Sequence, residues 1–182
     1  MYNSNSTEKQ INTLSKFRQA VYDHAFRSCR DAQFELLDAL TLAGPTYSFP
    51  WLSLSPTCQR KWPSLYQAVE KGKIDEAWLR TFLAQQVPSH GVRYWALDCT
   101  SWLRTHARTL PDRQYVYQPT PLTSRGTVNI GYTYSMLDWV PESNRSWTLS
   151  VEVVRVPSAK SEWQVGVEQV QRLNEARQGH AQ

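Results

Sequence analysis

Glycine is scarce, at seven residues in 182, which excludes collagen-like and Gly-rich linker sequences. Cysteine is scarcer still. Cys29, Cys58 and Cys99 are odd in number, far apart and form no CxxC pair. A zinc ribbon and a thioredoxin-like motif therefore fall away, and the three read as free thiols. No stretch approaches the roughly 18 apolar residues that a membrane-spanning helix needs. The opening Met1-Tyr2-Asn3-Ser4 has no basic region followed by an apolar run, so no signal peptide is expected. Missing too are the phosphate loop GxxxxGK[ST], GxGxxG, HExxH and GxSxG. His24, His90, His106 and His180 have no metal-ligand spacing.

What is present is the composition of a folded protein. Hydrophobic residues make up 41% and charged residues 20%, which is globular rather than disordered. Aromatics are abundant, with 8 Trp, 9 Tyr and 5 Phe. The length suits one domain or a small pair and is enough to bury a core. The formal charge is +4 and the isoelectric point is near 9.0, which fits a polyanionic partner. The arginines are unevenly spread. Arg93, Arg104, Arg108, Arg113 and Arg125 fall in one stretch with only Asp98 and Asp112 against them, and lysine is absent there. Arginine's planar fork suits phosphate better than lysine's point charge. A solvated basic loop would look the same.

Hydrophobic spacing predicts a helical first half. Thr7 and Gln10 have capping-box spacing, followed by a stripe of Ile11, Leu14, Phe17 and Val21. A second helix runs from about Asp31 through Leu40 and stops at Gly44-Pro45. Pro63 suits the first turn of a third, and Asp75 the N-cap of a fourth that ends before Pro88. The period then changes. Val92 to Leu97 reads as a strand running into Asp98, apolar enough for burial on both faces. An Arg-rich connection from Ser101 to Asp112 follows, then the short β-prone Tyr115-Val116-Tyr117. Thr127–Val140 and Trp147–Val156 form two further strands joined by turn residues Pro141 to Asn144, most simply an antiparallel hairpin. Ser161 to Arg177 closes the series as a helix with Trp163, Val167, Val170 and Leu173 on one stripe.

Among the acids, Asp98 stands out because a charge ending an apolar strand is costly unless paired or metal-bound. It reads either as a cap of the following turn or as a metal ligand. Asp138 and Glu142 flank the hairpin turn, Glu152 is expected to face solvent, and Glu168 and Glu175 fall on the wet side of the last helix. Cys99, His106 and Asp112 have the residue types of a nucleophilic set, but nothing in the sequence places them together.

The run Ala96-Leu97-Asp98-Cys99-Thr100-Ser101-Trp102 and the stretch Ala107 to Tyr115 resemble the start of the catalytic domain of bacterial DDE transposases. Gly131-Tyr132-Thr133-Tyr134-Ser135, Trp139-Val140-Pro141-Glu142, Ser146-Trp147-Thr148-Leu149 and Arg155-Val156-Pro157 continue the likeness. Phe26-Arg27, Asp31 to Leu36, Leu54-Ser55-Pro56 and Trp62 to Tyr66 extend it into the helical part. The resemblance covers nearly the whole chain.

It implies an α+β protein: a helical region over residues 1–90, a candidate DNA-binding segment, and over 91–182 the opening half of a ribonuclease H-like core, three antiparallel strands plus one helix. The family's first metal-binding acid lies on the first strand, where Asp98 stands. Its other acids come later, on a fourth strand and a further helix. In the two-metal mechanism such acids hold two Mg²⁺ (or Mn²⁺) ions about 4 Å apart. The expectation is therefore a truncated insertion-sequence transposase, inactive in cleavage on its own and retaining DNA affinity through the helical region and the five arginines. The other reading is a non-enzymatic regulator that binds intact transposase. A bacterial cytoplasmic, nucleoid-associated protein is expected, with transposon-end DNA as partner and no membrane. An open edge on the first strand would favour self-association.

Overall fold

The computed structural model describes residues 4–44, 48–117, 128–141 and 147–178. Pro45, Arg125, Glu142, Ser143, Asn144 and His180, all named above, lie outside the described residues. The fold is α+β with antiparallel sheets. The chain divides into two compact units, Met1–Leu79 and Arg80–Gln182.

In the first unit, α1 (Ser4–Ala20) continues as one π-helical turn, Val21–Ala25, into β1 (Phe26–Ser28). Then come α2 (Arg30–Leu42), α3 (Phe49–Leu52), α4 (Trp62–Lys71) and β2 (Lys73–Ile74). The turn chemistry explains the boundaries. Pro63 lies in the first turn of α4, where its missing N–H is not needed. The Asp75 carboxylate accepts the Trp78 N–H at 2.9 Å and caps α5 (Glu76–Gln86). That bond, with the Arg27 guanidinium, holds the Asp75 carboxyl below its ordinary range. The core is Leu36, Ala39, Leu52 and Leu65, with Phe49, Ala43 and Cys58 against it.

Two expectations are corrected here. α1 already runs from Ser4, so Thr7 sits inside the helix instead of capping it. Ile11 and Leu14 are exposed, and among the described residues the contacts of α1 fall near its end, where Arg18 pairs with Asp38 and lies over Phe34. Periodicity marks a face without showing that anything covers it. The small antiparallel pair β1–β2 was not anticipated; two or three residues carry too little pattern.

The second unit holds a four-stranded antiparallel sheet, one strand more than expected, made of β3 (Tyr94–Leu103), β4 (Gln114–Tyr117), β5 (Val128–Val140) and β6 (Leu149–Val156). The long central β5 is rich in aromatic and β-branched residues, as strands are, and pairs with the other three. β5 and β6 are the expected antiparallel neighbours. α6 (Glu162–Gln178) packs on one face of the sheet. Ser161 and Gln164 form its capping box: the Ser161 N–H donates to Gln164 Oε1 at 2.8 Å and the Gln164 N–H to Ser161 Oγ at 3.2 Å. The core gathers Ala84, Leu137, Val151 and Leu173, with Trp95 and Leu149 against it.

The α6 stripe is rotated from expectation. Trp163 is 79% exposed, while Val165, Gly166, Gln169 and Leu173 are buried. Buried Gln169 satisfies its amide by accepting from Ser135 Oγ at 2.6 Å and donating to the Ser135 carbonyl at 3.2 Å. Hydropathy alone assigns such a glutamine to water. β3 likewise has no buried residue. Among the described residues it pairs only with β5, and α6 covers one of its faces near Leu97.

Candidate functional site

Side chains alternate across a strand, and register therefore assigns Asp98 to a face. Leu97 meets Gly166 of α6, and Ser135, opposite Cys99, binds Gln169. Cys99 thus shares the α6 side. Asp98, opposite Met136, lies on the other face with Ala96, Thr100 and Trp102, across from Asp138, Tyr134 and Tyr132.

Asp98 does not end its strand. β3 continues through it to Leu103, and Asp98 is exposed. The burial penalty that singled it out does not operate, and neither does a turn cap. Its Oδ1 accepts the Cys99 N–H at 2.8 Å. Asp138 is its diagonal neighbour, opposite Ala96, and accepts a bond from Ser150 Oγ. Among the described residues no group of three or more His, Cys, Asp or Glu could hold a metal ion. Alone, these residues do not fit a two-metal centre, which needs several carboxylates around each pair of ions.

The arginines separate into roles. Arg104, Arg108 and Arg113 converge beyond the end of β3. The Arg113 guanidinium donates to the Arg104 carbonyl at 3.0 Å and to the Arg108 carbonyl at 3.2 Å. It ties the loop together and so positions the other two. The Arg104 guanidinium lies 4.3 Å from the Trp102 ring centroid. Arg108 is exposed, and its side chain has no partner among the described residues. Arg93 precedes β3 at its opposite end, where it donates to the carbonyls of Pro88 and Ser89 at 3.1 and 2.6 Å. It does not join the cluster.

Sequence reasoning missed Asp112 and Arg155 as a pair. Asp112 has φ +56, a left-handed conformation that Asp tolerates better than most residues. Its Oδ1 accepts the Ser158 N–H at 3.2 Å and the Ser158 hydroxyl, and its Oδ2 accepts from Arg155 at 3.0 Å. Arg155 also lies over Tyr132, whose hydroxyl donates to the Pro111 carbonyl at 2.8 Å. These contacts fasten the Arg-rich loop to the β6–α6 connection.

The Ser158 hydroxyl, then its N–H, then Arg155 hold the Asp112 carboxyl below its ordinary 3.8. A depressed folded value means that the contact adds stability above the unfolded pKa and loses it as pH falls through the folded one. The loop is therefore expected to stay fastened above the ordinary carboxylate range and to release only as pH falls below it. Intrinsic tryptophan fluorescence followed against pH should show this acid step, and the share lost in Trp102→Phe assigns it to Trp102. Asp112→Asn should abolish it; an unchanged step in that variant would assign it to another group.

Cys99, His106 and Asp112 are not brought together. Burial pushes the Cys99 thiol up, against the direction a nucleophile needs, and Asp112 is committed to Ser158 and Arg155. Glu152, expected in solvent, is instead held between Arg80 and Arg172.

The chain matches the family model of the DDE superfamily endonucleases over residues 17–181 and belongs to that family. This supports a transposase-type nuclease function with DNA as substrate; the family generally uses divalent metal ions. No curated protein and no solved structure matches the chain. Among the described residues no helix is long and apolar enough to cross a membrane.

Proposed function

We propose that the chain carries the DNA-engaging and opening catalytic parts of an insertion-sequence transposase from a bacterium. Residues 1–90 form the helical DNA-binding region, and residues 91–182 contribute the start of a ribonuclease H-like core. Asp98 is the first metal-binding acid, and Mg²⁺ or Mn²⁺ is bound productively only when further acids complete the site. In this reading the chain alone does not cleave DNA, and it acts in the cytoplasm on nucleoid DNA. The observation that carries the proposal is the convergence of Arg104, Arg108 and Arg113 at the end of the strand that bears Asp98. Arg104 and Arg108 contact phosphates, Arg113 holds their loop, and Arg93 adds charge at the other end of the strand.

The test is binding to a terminal-repeat duplex across a salt series. Each phosphate neutralised lowers the slope of log K against log salt by about 0.9. A slope of about −2 or steeper is expected, and Arg108→Gln should flatten it by about 1. A slope near zero would rule out phosphate contacts and with them this reading.

The absence of a three-donor set among the described residues favours a second reading, a regulator that binds intact transposase or a second copy of itself. The outer edge of β3, where Tyr94 and Trp102 are exposed, supports it. Co-purification with the intact enzyme and a dimer by light scattering are then expected. A lone monomer in both experiments would eliminate it.

A further inference from the structure

The sheet face opposite α6 carries an aromatic pair, an exposed Trp102 beside a half-buried Tyr134. Trp102 is 55% exposed, and its ring centroid lies 6.0 Å from that of Tyr134 at a tilt of 53°. Directly opposite Trp102 in the register stands Tyr132, and Arg155 covers that ring. Around this end of the sheet lie the guanidinium groups of Arg104, Arg113 and Arg155, with Arg108 exposed on the same loop, and the Asp112 carboxylate pairs with Arg155. Along the same face stand Thr100 and then Asp98, four residues from Trp102. At about 3.3 Å per residue that is about 13 Å.

The chemistry of the patch selects its partner. A surface awaiting a protein core would offer branched aliphatic side chains. Here the exposed end offers the flat Trp102 ring with the Arg104 guanidinium beside it, and the adjoining loop is rich in arginine. Flat aromatic faces flanked by arginine are what an unpaired nucleobase and its phosphate require, because stacking takes the base and the guanidinium takes the charge. A paired base inside a duplex has no free face to give. We infer that Trp102, assisted by Tyr134 and Arg104, is a stacking subsite for an unpaired nucleotide of the DNA strand, on the face that presents Asp98. The inference rests on the DNA reading proposed above and goes beyond it by naming a single-stranded element and the residues that seat it. Trp102 here positions the strand; it takes no part in bond breaking.

The experiment compares a blunt duplex of about 20 base pairs with the same duplex bearing a short single-stranded tail, the tail labelled with 2-aminopurine. Binding is followed by anisotropy and stacking by quenching of 2-aminopurine. The intact chain should prefer the tailed probe and quench its label. Trp102→Ala should lose about fivefold to a hundredfold in affinity for the tailed probe, the range for one stacked base. It should also lose the quenching and leave blunt-duplex binding unchanged. Trp102→Phe should retain most of both signals. A thermal melt of each variant reports folding, and Tyr134→Ala serves if Trp102→Ala does not fold. Equal affinity for the two probes, or an equal loss on both in Trp102→Ala, overturns the subsite while leaving DNA binding intact. Failure to bind either probe overturns the DNA reading and the subsite together.

Discussion

Glu152→Ala is expected to destabilise the second unit by about 2–3 kcal/mol, seen as a lower urea midpoint at unchanged slope. The Glu152 side chain is 8% exposed, and Oε1 and Oε2 accept from Arg172 at 3.0 and 3.2 Å while Arg80 donates to Oε1 as well. Removing the carboxylate leaves two guanidinium groups facing each other with their charge uncompensated. Breaking a buried pair costs about 3–5 kcal/mol. The figure here is set lower because the Arg80 and Arg172 side chains are 19% and 30% exposed and water can reach them. Glu152→Gln should recover part of the loss, since an amide oxygen can still accept from one arginine. The variant that removes all three charges, Arg80→Met with Glu152→Leu and Arg172→Met, should lie closer to the starting protein than Glu152→Ala does. If Glu152→Ala melts as the parent does, the three residues are not coupled as drawn.

Glu152 also shows where sequence reading stops. A glutamate midway along Leu149–Val156 sits in an alternating strand, and alternation assigns it correctly to one face. Which face is buried depends on where α6 lands. The α6 sequence misdirects that choice, because Trp163 and the valines advertise a face that Gln169 and Gly166 displace. Gly166 is used for closeness: a Cβ there would sit 2.9 Å from Leu97 Cδ2. Elements whose ends are written in local chemistry, Pro63 in α4 and Asp75 before α5, were legible. The spacing Ser161-Glu162-Trp163-Gln164 is a capping box with both reciprocal bonds, whereas the Thr7–Gln10 spacing matches the pattern without the structure. Ser/Thr-x-x-Gln is common by chance; only the reciprocal bonds distinguish it.

At the site, residue types were readable and their duties were not. The cluster of arginines is visible as composition, but a single guanidinium can bind phosphate or staple carbonyls, and only the backbone path decides. Arg113 and Arg93 became staples because loop and strand-end carbonyls lie within their reach. Arg108, whose side chain has no partner among the described residues, keeps its charge for solvent or ligand. Asp98 was singled out for burial it does not have. Its place on the open face, with Trp102 and Tyr134, follows from register across β3 and β5, which pairs residues about 35 positions apart.

Gly131→Ala is expected to cost about 3 kcal/mol and to dismantle the end of the sheet where the arginine loop begins. Gly131 pairs with Leu103 of β3 and with Gln114 of β4. A Cβ built there falls 2.2 Å from the Trp102 carbonyl oxygen and 3.0 Å from Leu103 Cα. Both are backbone atoms, so no rotamer change relieves the overlap and β3 has to move away from β5. The Arg104 N–H bond to the Ile130 carbonyl at 2.9 Å, the next rung of the same ladder, goes with it. Losing these bonds in a half-buried sheet adds desolvation cost to the steric one. Gly166→Ala is the control, because its overlap is with the tip of Leu97, which can turn aside at a cost of about 1 kcal/mol. Gly131→Ala should therefore lower the melting temperature well beyond Gly166→Ala. At temperatures where it remains folded it should change the near-ultraviolet signal by the part that Trp102→Phe removes, and lose preference for a single-stranded tail. Equal melting of the two variants would mean that β3 and β5 do not approach at Gly131 as closely as drawn. A normal tail preference in a clearly destabilised Gly131→Ala would mean that the strand end does not set the position of Trp102.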